Sequence, residues 1–82
     1  MEGTVALITE FTEIQSDTSN VHGGVECGYR MFEREGTTYL QLDTYGSRDR
    51  KFQGKVSQSI QVDERSAAEL QRLIRRAFPR LR

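Results

Sequence analysis

The residues with the clearest chemistry are cations that follow aromatic side chains in the middle of the chain. The cations lie between positions 48 and 55, and they are Arg48, Arg50, Lys51 and Lys55. Tyr39, Tyr45 and Phe52 lie beside them. Cations neutralise phosphates and flat rings stack on unpaired bases, so these residue types together point to single-stranded nucleic acid. They also fit a solvated loop next to half-buried tyrosines, and the sequence leaves both interpretations open.

Polar side chains in the flanking segments extend such a surface. Gln41 is expected to project from the same side as Tyr39, and Ser57, Ser59 and Gln61 are expected to share one side of a later strand. Their amides and hydroxyls can hydrogen-bond to bases or phosphates. The solvent-exposed face of an antiparallel sheet has the same composition, so an ordinary solvated face without a ligand remains an alternative.

Four strands and one helix are predicted to carry these residues. Apolar and β-branched residues predict a first strand over about 4–14, and alternation predicts strands over about 25–34, 37–45 and 55–62. Glu35 and Gly36 turn the chain between the second and third strands, which makes a hairpin. The glycine-bounded segment 46–54 is a loop. We therefore predict one α+β domain over residues 1–82, with an antiparallel sheet of about four strands followed by one C-terminal helix (ββββα).

The helix is predicted over about 64–78. Asp63 is a natural N-cap, and Pro79 ends the helix. Apolar residues recur at helical spacing and form the expected packing face, which is Leu70, Leu73, Ile74, Ala77 and Phe78. The arginines near the C-terminal end fit a solvated face that complements the helix dipole. We expect a homodimer that forms through the helix and the sheet.

Charge is divided unevenly along the chain, although the net charge is zero. Residues 1–47 carry two basic and eight acidic side chains, a balance of −6, and residues 48–82 carry ten basic and four acidic side chains, a balance of +6. Such a division is typical of a domain with one basic face that meets a polyanion. It also allows acidic and basic surfaces of two subunits to meet, and the composition does not decide between them.

Catalytic and metal chemistry have little support. Cys27 is the only cysteine and His22 the only histidine, so no disulfide and no zinc-ligand set is expected. Cys27 is expected on the core side of its strand as an inert thiol, away from His22. No phosphate loop, carboxylate pair or cofactor motif is found, so we expect no enzyme activity, no cofactor and no metal. No apolar run approaches the roughly 20 residues of a membrane span, which favours a cytoplasmic protein.

The order of motifs over residues 37–78 resembles the transcriptional positive-coactivator family and its short bacterial relatives. The similar features are Leu40-Gln-Leu42 in a strand that ends at Tyr45, a basic loop that closes on Gly54-Lys55, and Ile60-Gln-Val62 before an acidic cap. The resemblance implies binding of single-stranded DNA and a helix that builds a dimer. It would assign the strand-end aromatic to Tyr45 and the lysine after the loop to Lys55.

We therefore expect a non-enzymatic domain that binds single-stranded nucleic acid, DNA in transcription or DNA processing. The nine predicted contact residues are Tyr39, Gln41, Tyr45, Arg48, Arg50, Lys51, Lys55, Ser57 and Ser59. The alternative is a protein-interaction module that assembles with a partner protein, or with another copy, through its helix and sheet edge.

Overall fold

A computed structural model of the chain describes residues 4–16, 20–45 and 56–81. In these residues four strands are followed by one helix: β1 (Thr4–Leu7), β2 (Cys27–Arg34), β3 (Thr37–Tyr45), β4 (Val56–Val62) and α1 (Glu64–Ala77). The predicted α+β class and element order are confirmed. The predicted loop cations Arg48, Arg50, Lys51 and Lys55 lie outside the described residues.

β2 and β3 form the predicted hairpin. The turn residues Glu35 and Gly36 have φ angles of 52° and 82°. Positive φ at both central residues is the geometry of the two-residue turn that matches the natural twist of the strands. Because the turn has two residues, Arg34 pairs with Thr37, and counting outward brings Phe32 opposite Tyr39. The turn thus determines which side chains meet across the hairpin.

The first strand differs from the prediction. β1 ends at Leu7 instead of near residue 14, and it pairs with β4 in parallel, so the sheet is mixed, with the order β1-β4-β3-β2. The backbone N–H of Ile8 still donates to the carbonyl of Gln61 at 2.9 Å. The chain then leaves the sheet and runs beside α1, where Phe11 is half-buried. β-Branched composition favours an extended backbone, but it does not specify a partner strand or its direction.

The pairing of β3 with β4 contains one irregularity. Asp43 pairs with Ser59 and Thr44 with Gln58, but Tyr45 pairs with Val56. One residue of β3 therefore corresponds to two residues of β4, and Ser57 is the extra residue of a bulge.

α1 begins with a complete capping box. The Oδ1 atom of Asp63 accepts a hydrogen bond from the backbone N–H of Ser66 at 3.0 Å, and the Ser66 Oγ accepts one from the backbone N–H of Asp63 at 3.2 Å. The bond from the Ser66 backbone N–H holds the pKa of Asp63 below its usual value. The predicted N-cap is confirmed, and the box satisfies two backbone donors that would otherwise lack partners.

The expected core side of the sheet is mostly open. This side, called the aliphatic face below, consists of Tyr29, Met31, Leu40, Leu42, Ile60 and Val62. Val62 is 2% exposed and is the only apolar side chain that is fully buried within the described part of the chain. α1 packs against β4, and Tyr29 on β2 stays 69% exposed. Cys27, which was expected on the core side, is also exposed because nothing in the described residues covers that end of the face.

Two features are not found in the described residues. None of their helices is long and apolar enough to cross a membrane. No group of three or more histidine, cysteine, aspartate or glutamate side chains there is placed to hold a metal ion.

Candidate nucleic-acid interface

The side of the sheet opposite the aliphatic face carries a row of polar and aromatic side chains. Gln41 pairs with Gln61 and Asp43 with Ser59, while Arg30 and Gly28 lie across from Gln41 and Asp43 on β2. Residues that are paired across strands project from the same side. The ladder face defined by this pairing consists of Gly28, Arg30, Phe32, Tyr39, Gln41, Asp43, Tyr45, Ser59 and Gln61. The exposed apolar residues Val5 and Leu7 of β1 pair with Ser59 and Gln61 and lie on the same side, at its edge.

Four of these side chains form a continuous hydrogen-bonded ladder. Gln61 Nε2 donates to Gln41 Oε1 at 2.8 Å, and Gln41 Nε2 donates to Asp43 Oδ1 at 2.9 Å. Ser59 Oγ donates to the same Asp43 oxygen at 2.5 Å. Gln41 and Ser59 are each only 6% exposed. A buried polar group must be hydrogen-bonded to be tolerated, and the ladder meets this requirement.

Asp43 stays ionised in this setting. Its pKa is lowered chiefly by the hydrogen bond from Ser59, then by the one from Gln41, and the positive charge of Arg30 adds to the effect. Partial burial acts in the opposite direction and is outweighed. The centre of the ladder face therefore holds a fixed negative charge.

An aromatic pair lies at one end of the ladder face. The rings of Phe32 and Tyr39 are stacked, with centroids 5.4 Å apart and an angle of 27° between their planes. Both residues are half-buried. Aromatic pairs with this offset geometry hold each other in place, so each ring offers a defined outer surface.

Tyr45 lies at the other end. A Cβ atom added to Gly28 would be 2.7 Å from the Tyr45 Oη and 3.4 Å from the nearest ring carbons. The ring therefore reaches across the hairpin into the space that the glycine leaves open. Tyr39 and Tyr45 are six residues apart on β3, which corresponds to roughly 20 Å along the strand. The ladder face thus combines aromatic rings at both ends with a polar centre.

Four of the nine predicted contact residues are brought together on this face. They are Tyr39, Gln41, Tyr45 and Ser59. Ser57 is the exposed extra residue of the bulge and takes no part in the ladder. The four cations lie outside the described residues.

The predicted contact set omitted Phe32 and Arg30. Alternation already put both on one side of the second strand, but their relation to Tyr39 and Gln41 depends on the register. That register follows from a two-residue turn at Glu35 and Gly36, which the sequence itself indicates.

The predicted packing residues of α1 divide into two groups. Leu70 and Ile74 are half-buried, whereas Leu73 is 36% and Phe78 60% exposed. Residues 11–13 and α1 enclose an open groove of about 580 Å³, and Leu73 is in its lining. At its edge the Arg76 Nη2 lies 3.5 Å from the Glu13 Oε1, an exposed ion pair that contributes little.

Comparison of the chain with family models, with curated proteins and with solved structures finds no match.

Proposed function

We propose that the protein binds single-stranded nucleic acid on its ladder face. It would act without catalysis, on DNA in the cytoplasm, in transcription or DNA processing. The observation that carries the proposal is the stacked pair of Phe32 and Tyr39 on the same side of the sheet as Tyr45. Each stacked base contributes about 1–3 kcal/mol, so rings at both ends of one face supply useful affinity.

The phosphates require cations, and four of the predicted contact residues that follow Tyr45 in the sequence are cations. Tyr45 ends β3 and pairs with Val56, the first residue of β4, and segment 46–55 connects these two residues in the sequence. This segment contains the four predicted cations, and Arg30 on the ladder face adds a fifth. These rings and cations suit a single strand of nucleic acid whose bases stack on the rings while its phosphates contact the cations. The resemblance of residues 37–78 to the positive-coactivator family supports the same function.

The proposal includes a homodimer. The described residues bury only Val62 as an apolar core residue, while Met31 and Ile60 remain exposed on the aliphatic face. A chain of this size has a thin core, and a second copy would cover this face together with Leu73 of α1. The opposite charges of the two halves of the chain favour contacts between copies. The ladder face would remain free for nucleic acid.

Binding of labelled oligonucleotides tests the proposed function. The protein is titrated into single- and double-stranded mixed-sequence DNA at low and at physiological salt, and fluorescence anisotropy is measured. We expect saturable binding that prefers the single strand and weakens as salt rises, because phosphate contacts release counterions. No binding even at low salt, or binding that salt does not change, contradicts the proposal.

Two tyrosines provide a matched pair of variants. Tyr45 lies on the ladder face, whereas Tyr29 pairs with Leu42 on the aliphatic face and is exposed. Tyr45→Ala is expected to weaken single-strand binding by roughly 5- to 150-fold, the loss of one stacked base. Tyr29→Ala removes the same side chain from the aliphatic face and, in a protein that remains dimeric, should leave this affinity within about two-fold. Equal losses in two variants of equal stability reject stacking on the ladder face.

Exposed apolar residues in α1 and at its C-cap favour a second candidate, a protein-interaction module. Leu73 and Phe78 offer an apolar stripe to a partner helix or strand. If this is the function, Leu73→Ala and Phe78→Ala abolish capture of a partner protein, and reversal of the loop charges has little effect. The opposite pattern rejects this candidate.

A further inference from the structure

The two carboxylate oxygens of Asp43 differ in their hydrogen bonds: Oδ1 accepts two, whereas Oδ2 accepts none from the described residues. The hydrogen bonds from Ser59 and Gln41 both end on Oδ1. A carboxylate oxygen has two acceptor sites, so these two donors saturate it. Within residues 4–16, 20–45 and 56–81, no group donates to Oδ2. Asp43 therefore retains acceptor capacity that the ladder does not consume.

The ladder also fixes how this open oxygen is presented. The Gln41 carbonyl oxygen accepts from Gln61, so the Gln41 amide must direct its NH₂ group toward Asp43. Both donors to Oδ1 come from residues that are almost fully buried, which restricts their movement. Asp43 itself is half-buried, so a ligand on the ladder face can reach it. A group whose orientation is set before binding loses little entropy when it binds.

The neighbour of Asp43 is the tyrosine that is proposed to stack. Gly28 lies directly across from Asp43, and the Tyr45 ring reaches over Gly28. A base that is stacked on Tyr45 thus lies beside Asp43. A phosphate at this place would be repelled by the carboxylate, so the polar edge of the base is the part that faces it.

The four bases differ in what they offer to a carboxylate, which only accepts hydrogen bonds. Guanine offers its ring N–H and its amino group side by side, and cytosine and adenine each offer an amino group. Thymine and uracil offer one ring N–H between two carbonyl oxygens. The partial negative charges of these carbonyls face the carboxylate and oppose its approach.

We propose that Asp43 is a specificity residue, which favours bases with an amino group over thymine and uracil at the position stacked on Tyr45. The inference rests on the proposed function, because it requires a single strand on the ladder face. It goes beyond that function by naming the class of base that is preferred.

The test compares labelled oligo(dC) with oligo(dT) at neutral pH, by anisotropy at low salt. We expect wild-type protein to bind oligo(dC) more tightly by roughly five-fold or more, the discrimination that one good base contact provides. Oligo(dU) should bind as weakly as oligo(dT), which excludes an effect of the thymine methyl group. Oligo(dC) whose amino groups are doubly methylated lacks the donor hydrogens and should also bind weakly. This last comparison uses the wild-type protein and does not depend on any variant folding.

Asp43→Asn is the matched variant. The asparagine oxygen can still accept from Ser59 and Gln41, which places an NH₂ group where Oδ2 was. This group donates to the carbonyls of thymine, so the preference for oligo(dC) should disappear or reverse. Glu33→Gln removes the same charge from an exposed position on the neighbouring strand β2 and should leave the ratio of the two affinities unchanged.

The outcomes separate this inference from the proposed function. Equal wild-type affinity for oligo(dC) and oligo(dT), or an unchanged ratio in a folded Asp43→Asn protein, overturns the role of Asp43 while single-strand binding stands. No binding to any of the oligonucleotides overturns the proposed function, and the inference is lost with it.

Discussion

The Tyr45 ring occupies the space that is left open by Gly28, with its Oη atom 2.7 Å from the position of a Cβ at residue 28. This close approach explains why β2 contains a glycine near its start, although glycine weakens a strand. One surface of the Tyr45 ring thus lies over Gly28, and the opposite surface is the one on which a base could stack. The relationship can be tested without removing the tyrosine.

Gly28→Ala should displace the Tyr45 ring and weaken single-strand binding several-fold. The added methyl group meets the far end of a movable side chain, so the thermal stability should change little. Tyr45→Phe removes only the Oη atom and should retain binding. The double variant Gly28→Ala, Tyr45→Phe should regain most of the affinity, because its closest remaining contact is an ordinary 3.4 Å. Equal affinity of the wild-type and Gly28→Ala proteins contradicts this role of Tyr45.

The loop cations should determine the salt dependence of binding. For single strands, each phosphate contact contributes about −0.7 to the slope of log K against log salt concentration. Lys55→Gln should therefore make the slope shallower by about 0.7. Arg76→Gln is the control, because Arg76 lies at the end of α1 beside Glu13. A slope that changes equally in both variants would mean that the loop has no special role.

The Asp43 ladder should contribute stability that depends on pH. The folded protein has the lower pKa at Asp43, so the unfolded chain binds more protons between that pKa and the ordinary value of about 4. The contribution is full above the ordinary value and is lost as pH falls through the folded pKa. Ser59→Ala removes the largest cause of the shift, so its loss of stability should be larger at about pH 6 than at about pH 2.

Urea unfolding at the two pH values measures this difference. Ser57→Ala changes an exposed serine two positions earlier on the same strand and should show no such dependence. A Ser59→Ala protein that is destabilised equally at both pH values contradicts the assignment of the shift to the Ser59 hydrogen bond.

Assembly should depend on the exposed apolar residues of α1. Leu73→Asp places a charge in the proposed dimer contact and should convert a dimer into a monomer in analytical ultracentrifugation. Val21→Asp introduces the same change at a fully exposed position outside the strands and helix, and it should leave the mass unchanged. A wild-type protein that stays monomeric at high concentration rules out the homodimer.

Much of the fold follows from local signals in the sequence. The turn at Glu35 and Gly36 requires positive φ angles, and the cap at Asp63 requires a short acceptor side chain, so both could be predicted from residue types. Alternation predicted which side of β3 each residue occupies. The pairing of Phe32 with Tyr39 was also implied, because it follows from counting outward from the turn.

Other features depend on contacts between distant segments. The composition of residues 8–14 suits a strand, but the chain there runs beside α1, and Phe11 lines an open groove together with residues of that helix. The direction of β1 depends on which edge of the sheet is free, and alternation does not encode this. The bulge at Ser57 shifts the pairing by one residue without any glycine to mark it. Both hydrogen bonds of the ladder to Asp43 end on Oδ1 and leave Oδ2 without a donor in the described residues. The ladder itself could be recognised only from the three-dimensional pairing of the strands.

Photo-crosslinking provides the most direct test of binding on the ladder face. A single strand that contains 5-iododeoxycytidine is irradiated with the protein, and the crosslinked residues are identified by mass spectrometry. If the single strand binds on the ladder face, crosslinks form at Tyr45, Tyr39 or Phe32, and the crosslink at residue 45 is lost in the Tyr45→Ala protein. Crosslinks that are confined to Tyr29 and other residues of the aliphatic face would contradict binding on the ladder face.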